Sequence, residues 1–401
     1  MKILWVNTHF LHPATRGGSI RTLEMLKWLN RWHEVHYLAL EKPSATEGMA
    51  RAGEYCAQAF RIDHEAPPRL SPRFLAQAFG NLISPLPLAV TRYVSTELLR
   101  RMRQLHQTER YDRIVADFLF SAPNVDPLEK CIVFQHNVET MIWRRHADTA
   151  AHAPGRWFFG QQARRMERYE QEVCRRAGSV IAVSAEDAAR MDQMFAPPRP
   201  VGWVPTGVNL EYFQPPAEPV APQPELVFVG SMDWLPNIDG IRWFAAEVWP
   251  LIRQRKPAVR LAIVGRLPPA EITALAERDK NIVVTGTVPD VRPYFWGGTV
   301  SIVPLRIGGG TRLKIFEAIG ARIPVVSTAI GAEGLPLTAG EHIAIGDTPA
   351  GFAARCLALL DDAAARQRMA DAAWTLAHEN YSWEKVTRQF ERLLLQGPAA
   401  T

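Results

Sequence analysis

The sequence lacks the features of secreted disulfide-rich, membrane-spanning and disordered proteins. Its 401 residues include only four cysteines, which are far apart and form no C-x-x-C pair, and this favours reduced, buried thiols in a cytosolic protein. No apolar run approaches the roughly 18 residues that a membrane-spanning helix needs, and we expect no signal peptide because the first strand-like run is short and soon turns polar. Apolar residues make up 47% and charged residues 22%, as in ordinary globular proteins.

The charge excess is small for a chain of this length. Lysine and arginine number 46 and aspartate and glutamate 41, which gives a net charge of +5. This argues against a nucleic-acid partner and suits an anionic ligand or a loose contact with an anionic membrane. Two basic, partly apolar segments, 69–107 and 156–176, are either solvated helices or surfaces for an acceptor or a membrane interface, and the sequence leaves both alternatives open.

Short runs rich in Val and Ile alternate with longer amphipathic segments such as 20–29 and 241–254. The runs lack strict alternation, as strands covered on both faces of a parallel sheet do. Repetition of strand, helix and strand predicts doubly wound α/β sheets. The predicted strands are 2–7, 35–40, 113–116, 131–135, 179–183, 225–229, 260–264, 281–285, 299–303 and 324–327.

A proline-rich segment, 195–224, interrupts this series. Proline fixes φ and donates no backbone hydrogen bond, so the segment predicts a semi-rigid linker. Each half of the chain then begins with a strand. We therefore expect two Rossmann-like domains with a cleft between them.

Ligands of open α/β sheets bind beyond the carboxyl ends of the strands, so the residues that follow each strand are the first candidates. Gly17 and Gly18 lie in the loop after the first strand, which either cradles a phosphate or is a plain turn. His136 follows the strand at 131–135 and either donates to a ligand oxygen or is a structural histidine. The histidines show no metal-ligand spacing, and we expect no metal site.

The densest candidate is the segment 303–318. A strand ends at Pro304, three glycines follow, and Thr311 is predicted to start a helix. The amides of Gly310, Thr311 and Arg312 would then face an anion. Together with the cations Arg306, Arg312 and Lys314, they suit a diphosphate, although the spacing is not that of a Walker A loop.

Acidic and glycine residues near the other strand ends complete this candidate site. Glu317 either accepts from the hydroxyls of a ribose or is a solvent-facing helical glutamate. Gly230 and Ser231 follow the strand at 225–229, and Arg266 follows the strand at 260–264. The backbone around Val288 is a candidate for contact with a nucleobase edge.

Together these residues resemble the retaining glycosyltransferases of family 4, which have the GT-B fold. The resemblance covers nearly the whole chain and is strongest between Trp203 and Leu335. Each motif alone is weak, but jointly they are highly specific. They are 204–209, 228–232, 261–265, 284–290, the glycine-rich loop with Glu317 and Ala318, 324–328, and 381–383.

The resemblance implies transfer of a sugar, typically a hexose, from a nucleotide-diphosphate-sugar to an acceptor hydroxyl, with retained configuration and without a metal or a cofactor. It implies an acceptor-side domain at 1–202, a nucleotide-sugar domain at 203–380 and a helix at 381–401 that crosses back to the first domain. The acceptor would be a glycan, a lipid-linked molecule or a small molecule, in bacterial glycan or polysaccharide biosynthesis. The expected location is cytoplasmic, with peripheral membrane contact left open.

The resemblance also assigns roles to individual residues. Glu317 matches the second glutamate of the E-x7-E signature and would hold the ribose, Gly17 and Gly18 match the loop near the donor phosphates, and His136 matches the histidine near the transferred sugar. We assign catalysis to His136, Arg306 and Lys314. The predicted donor-binding residues are Gly17, Gly18, Gly230, Ser231, Arg266, Val288, Gly309, Gly310, Thr311, Arg312 and Glu317.

The sequence departs from the family pattern in two places. Gly309 stands where the first signature glutamate is expected, and the Arg and Lys that many members carry after the Gly230 strand are absent. Arg306, Arg312 and Lys314 are candidates to replace those cations. Two other readings stay open: a nucleotide-sugar epimerase on the same fold, and a catalytically silent scaffold of a polysaccharide assembly complex. A phosphorylase would need a pyridoxal lysine, and we identify none.

Overall fold

The computed structural model divides the chain into two compact units, which are described separately. The first comprises Met1–Pro205 and Val386–Thr401, and the second Thr206–Lys385. The structure describes residues 1–14, 17–68, 71–81, 84–150, 152–218, 220–221, 225–307 and 312–400. Within these ranges, no helix has the length and apolar character needed to cross a membrane.

The first unit contains a seven-stranded parallel sheet in the order β3-β2-β1-β4-β5-β6-β7. Its central strands are almost entirely buried, because helices cover both faces of the sheet. The strands are β1 Lys2–Asn7, β2 Glu34–Glu41, β3 Gln58–Asp63, β4 Arg113–Asp117, β5 Cys131–Phe134, β6 Ser179–Ala182 and β7 Gly202–Trp203.

The helices of the first unit lie between these strands. Serine side chains cap three of them, since Ser71 Oγ accepts from Phe74 N, Ser95 Oγ from Leu98 N and Ser184 Oγ from Asp187 N. The helices are α1 Gly17–Trp32, α2 Glu47–Ala50, α3 Pro72–Gly80, α4 Leu88–Thr91, α5 Thr96–Thr108, α6 Glu139–Thr149, α7 Ala153–Arg176 and α8 Ala185–Phe195, with 3₁₀ turns at Ala52–Glu54, Leu119–Asn124 and Leu128–Lys130.

The second unit contains a six-stranded parallel sheet in the order β10-β9-β8-β11-β12-β13. Two buried clusters of apolar side chains, including Phe228 in one and Phe316 in the other, form its core. The strands are β8 Leu226–Val229, β9 Leu261–Val264, β10 Ile282–Gly286, β11 Val300–Val303, β12 Val325–Ser327 and β13 Ala344–Ile345.

Helices also separate the strands of the second unit. Its helices are α9 Leu210–Phe213, α10 Leu235–Trp243, α11 Trp249–Arg255, α12 Ala270–Arg278, α13 Arg292–Gly297, α14 Leu313–Gly320, α15 Pro349–Asp361 and α16 Ala363–Asn380, with a π-helical turn at Phe244–Val248 between α10 and α11. The final helix, α17 Trp383–Gln396, begins in this unit and continues in the first. There the Phe390 ring lies 5.7 Å from that of Trp5 and 5.0 Å from that of Phe134.

The proline-rich segment is not one continuous linker, so that prediction is wrong. Its residues Gly202–Trp203 form β7 at the edge of the first sheet, and Leu210–Phe213 form α9. The division between the units falls at Pro205 and Thr206, between these two elements. Proline therefore limits the segment to short elements but does not prevent them.

All ten predicted strands are confirmed, the first with identical limits. Three others, β3, β7 and β13, were not predicted. β3 is only partly buried, and β7 and β13 have two residues each, so none of them produces a continuous apolar run. The prediction of four buried thiols is also confirmed, since Cys56, Cys131, Cys174 and Cys356 are buried and free.

Candidate active site

In the second unit, the carboxyl ends of β8 and β9 approach each other very closely. Gly230 N donates to Val264 O at 2.9 Å. A methyl group added at Gly265 would lie 1.8 Å from Gly230 O, so no other residue fits there without a shift of the backbone. The two half-buried glycines therefore place peptide groups, rather than side chains, at this edge of the sheet.

Lys314 reaches this strand end from α14. Its Nζ donates to Asn237 Oδ1, and Asn237 Nδ2 donates to Ser231 O at 2.7 Å. The same Nζ lies 4.7 Å from the centre of the Phe228 ring, and a methyl group at Gly230 would be 2.9 Å from it. The structure thus brings three of the predicted residues, Lys314, Gly230 and Ser231, to one place.

Glu317 lies one helical turn after Lys314, and the surroundings perturb both groups. The pKa of Lys314 is lowered to about 7, chiefly by burial; the charge of Glu317 opposes this shift and that of Arg312 adds to it. Burial raises the pKa of Glu317 to about 7, against the attraction of Lys314. Among the residues that the structure describes, none hydrogen-bonds to the Glu317 carboxylate. Such a pair of perturbed groups is typical of a functional site.

Ser231 and Arg266, two of the predicted donor-binding residues, also lie together. Arg266 Nε donates to Ser231 Oγ at 2.6 Å, and its Nη2 donates to Asp233 Oδ2 at 3.0 Å. Met232 N donates to Arg266 O at 2.9 Å, which ties the two loops at the ends of β8 and β9. Asp233 partly offsets the charge of Arg266 at this edge.

The other two candidate cations have partners away from Gly230. Arg306 forms a two-pronged ion pair with Asp239 of α10, at 2.7 and 3.1 Å, and its side chain is 45% exposed. Arg312 is buried, donates to Ile330 O at 2.9 Å and lies 3.5 Å from the Glu333 carboxylate. Spacing alone grouped these cations with Lys314. Arg306 makes its ion pair elsewhere, and Arg312 makes its own hydrogen bond to Ile330 but still lies near enough to lower the pKa of Lys314.

Helix α14 begins later than expected. It starts at Leu313, and Arg312 before it has a left-handed backbone with φ 51°. The predicted start at Thr311 is therefore wrong, and Glu317 is the fifth residue of the helix. Gly309, Gly310 and Thr311 lie outside the described residues. Val288, after β10, packs its half-buried side chain against the core.

In the first unit, His136 lies beside Asp117 at the ends of the neighbouring strands β5 and β4. His136 Nε2 and Asp117 Oδ1 are 2.8 Å apart, and both side chains are buried. The Phe118 ring stacks on the imidazole at 3.9 Å between centroids. A methyl group at Gly18, next to Gly17 at the start of α1, would lie 2.5 Å from Phe118 Cζ and 3.4 Å from His136 Nδ1. The structure thus brings the glycine loop and His136 together.

Sequence reasoning missed Asp117, Phe118 and Asn237. Asp117 comes directly after the predicted strand at 113–116, so its position at a strand end could have identified it. Asn237 gave no such signal, because its contact with Lys314 joins residues that are 77 positions apart. Over the described part of the chain, no group of three or more His, Cys, Asp or Glu side chains could hold a metal ion.

Comparison with known proteins bears on the second unit and on the fold. Residues 223–362 match the family model described as "Glycosyl transferases group 1". The matched segment includes β8 to β13 and the contacts around Lys314.

Similarity over the full length is weaker in sequence and strong in structure. An uncharacterized 44.6 kDa protein in the cps region of Klebsiella pneumoniae is 21% identical over 398 residues, covering 96% of this chain and 97% of the relative. Sucrose-phosphate synthase from Thermosynechococcus elongatus superposes with a TM-score of 0.72 at 17% identity, over 99% of this chain and 98% of that one. HepE of Anabaena, solved in complex with UDP, gives 0.69 at 13% identity, over 99% and 100%.

These likenesses confirm the predicted α/β class and the GT-B fold with two Rossmann-like domains. The matched domain and the fold together support a GT-B glycosyltransferase.

Proposed function

We propose that this protein is a retaining glycosyltransferase of family 4 that moves a hexose from a nucleotide-diphosphate-sugar to a hydroxyl of a glycan, lipid-linked or small-molecule acceptor. The setting that we propose is bacterial glycan or polysaccharide biosynthesis. The group 1 domain at residues 223–362 supports the class of reaction. The UDP in the complex of the similarly folded HepE supports a nucleotide donor.

The observation that carries the proposal is the position of Lys314 at the Gly230 strand end, with Glu317 one turn further along α14. Ligands of α/β sheets bind at such strand ends. An ammonium group there can pair with a diphosphate, and the carboxylate of Glu317, which makes no hydrogen bond to the described residues, can accept from two ribose hydroxyls. Lys314 and Glu317 lie one helical turn apart, in the same order as the diphosphate and the ribose of the nucleotide that they would hold.

Lys314 also takes the place of the Arg and Lys that many family members carry after the Gly230 strand. Its Nζ would be 2.9 Å from a methyl group at Gly230, so α14 supplies a cation at the strand that lacks the usual Arg and Lys. Charge develops on the leaving diphosphate, and a preorganised cation stabilises it as it forms. We propose that Lys314 fills this role without a metal, and that turnover persists in EDTA.

We propose that the acceptor hydroxyl attacks the anomeric carbon from the same face from which the diphosphate leaves. The acceptor hydroxyl bonds to the anomeric carbon as the bond to the diphosphate oxygen breaks, and that oxygen takes the acceptor proton. The transition state resembles an oxocarbenium ion. The anomeric configuration of the product, read by NMR coupling constants, tests retention directly.

Calorimetry with UDP, GDP and ADP tests the proposal first. A transferase should bind one of these nucleotides. It should also form a glycosylated product with one of a panel of nucleotide-sugar donors, which mass spectrometry detects. Absence of binding to all three would favour the scaffold. Sugar interconversion without any acceptor would favour the epimerase.

We further propose a cytoplasmic location with peripheral contact at the membrane. Four buried free thiols suit a reducing compartment. The exposed face of α7 carries Trp157, which is 59% exposed, followed by the exposed Arg164 and Arg168. An amphipathic aromatic with nearby cations suits an anionic lipid surface. Co-sedimentation with phosphatidylglycerol vesicles, and its loss in Trp157→Ala, tests this contact.

A further inference from the structure

An exposed tryptophan lies at the carboxyl end of β8, directly before α10. Trp234 is 38% exposed, and it is the only exposed tryptophan among the described residues of the second unit. Leu235 beside it and Leu267, which follows β9, are exposed as well. Exposed apolar side chains that gather at one place mark a surface for a ligand or a partner. The contacts proposed above for the diphosphate and the ribose do not involve this surface.

Hydrogen bonds hold the two loops that carry these side chains. Met232 N donates to Arg266 O at 2.9 Å, and Arg266 Nη2 donates to Asp233 Oδ2 at 3.0 Å. Trp234 O accepts from Asn237 N at 3.0 Å in the first turn of α10. The indole is therefore attached to a backbone that is fixed on both sides. A rigid aromatic side chain of this kind offers a large contact area at a low cost in conformational entropy.

The Trp234 ring lies beside the ammonium group of Lys314. The centre of the ring is 5.9 Å from Nζ, and the buried Phe228 ring lies 4.7 Å from the same atom. Side chains of a helix lean toward its N-terminus, so Lys314 extends away from the next turn of α14, which carries Glu317. A ligand with its ribose at Glu317 and its diphosphate at Lys314 then places its third part, the sugar, near Trp234.

The chemistry of an indole suits a sugar ring. A pyranose has hydroxyl groups around its rim, but C–H bonds cover much of its two faces. The face of an aromatic ring is apolar and electron-rich, so it attracts C–H hydrogens, and stacking removes apolar surface of both partners from water. Next to a cation that pairs with phosphate, the exposed Trp234 is therefore suited to the uncharged sugar of a nucleotide-sugar.

We propose that Trp234 is a sugar-binding residue of the donor site, whose indole packs against the C–H face of the sugar to be transferred. The inference rests on the proposed function, which supplies the nucleotide-diphosphate-sugar. It adds an apolar contact with the sugar to the charged contact with the diphosphate. A hydroxyl group pressed against the indole would lose its water without gaining a hydrogen bond, so the site favours sugars that present an unbroken C–H face to it.

Titration calorimetry with matched pairs of ligands tests this contact on the full chain. The pairs are UDP-glucose with UDP, GDP-mannose with GDP, and ADP-glucose with ADP, and the pair that the wild type binds is used for the variants. In Trp234→Ala, the Kd for the nucleotide-sugar should rise roughly fivefold to tenfold, as expected for the loss of an aromatic contact. The Kd for the matching diphosphate should stay within about twofold, because Lys314 keeps its hydrogen bond to Asn237. Trp234→Phe keeps an aromatic ring and should retain most of the affinity.

Leu251→Ala is the matched control. Leu251 is 37% exposed, and it lies about 25 Å further along the helical segment that follows Trp234. The control removes a similarly exposed apolar side chain from the same unit, far from Lys314. It should therefore bind both ligands of the pair like the wild type.

The outcomes separate the inference from the proposed function. Unchanged affinity of Trp234→Ala for the nucleotide-sugar, or equal losses for the nucleotide-sugar and the diphosphate, would overturn the role of Trp234 and leave nucleotide binding intact as a property of the wild type. A loss in Leu251→Ala as large as that in Trp234→Ala would also count against this role. A wild type that binds none of these ligands would contradict the proposed function itself, and the inference with it.

Discussion

Replacing Lys314 with methionine removes the ammonium group that α14 places beside Gly230 and keeps most of the length of the side chain. A hydrogen bond to a charged group contributes about 1.5–3 kcal/mol, so the Kd for UDP should rise roughly tenfold to hundredfold. The free protein should lose little stability, because the variant loses the hydrogen bond from Nζ to Asn237 but no longer has to bury an ammonium, whose pKa burial lowers to about 7. Methionine also keeps an apolar contact with the Phe228 ring, which Nζ now faces at 4.7 Å.

Calorimetry at pH 6, where Lys314 is protonated, measures this effect. Lys256→Met is the matched control, because Lys256 pairs with Asp361 at the surface of the same unit. Uridine, which has no phosphate, should lose much less affinity than UDP in Lys314→Met. Equal affinities of the variant and the wild type for UDP, or equal losses for UDP and uridine, would refute the assignment of Lys314 to the diphosphate.

Three further predictions concern the same unit. In the variant Glu317→Gln, the affinity for a nucleotide-diphosphate-sugar should fall by up to about tenfold per pH unit above pH 7, since Lys314, with a pKa of about 7, must take up a proton to pair with the anion. The substitution removes the opposing ionisation of Glu317, whose pKa is also about 7. Titration calorimetry from pH 6 to 9 checks this, and a flat profile would contradict it. Glu317→Ala should weaken nucleotide binding by roughly tenfold with an unchanged circular dichroism spectrum, and Glu317→Gln should weaken it less; wild-type affinity in the alanine variant would exclude the ribose role. Gly265→Ala should lower the melting temperature by many degrees, because its methyl group would lie 1.8 Å from Gly230 O. The control Gly160→Ala, in α7 with open space around it, should raise the free energy of unfolding by about 0.5–1 kcal/mol. Similar effects of the two substitutions would show that the close approach of β8 and β9 is not required.

The central strands could be predicted from sequence because their burial on both faces forces continuous apolar runs. β1 was predicted at its observed limits for this reason, and its last five residues are all buried. β3 is half-exposed and lacks such a run, so its pattern resembles that of a loop. The short strands β7 and β13 are defined by their neighbours in the sheet rather than by their own residues.

The candidate site could be predicted only as a set of residues. Strand ends and glycines could indicate Gly18 and His136 in the first unit and Gly230 in the second, because the carboxyl ends of parallel strands lie at the same edge of each sheet. Spacing could not show that Arg306 pairs with Asp239, a residue 67 positions away, while Lys314 reaches the strand end. The choice among equally charged neighbours depends on tertiary contacts, which no local pattern contains.

A crystal structure of the protein with bound UDP tests the central claim most directly. The account predicts that the diphosphate lies within hydrogen-bonding distance of Lys314 Nζ, near the amides of Gly230 and Ser231, with both ribose hydroxyls on the Glu317 carboxylate. A diphosphate bound on another surface, with Lys314 still donating to Asn237, would contradict it.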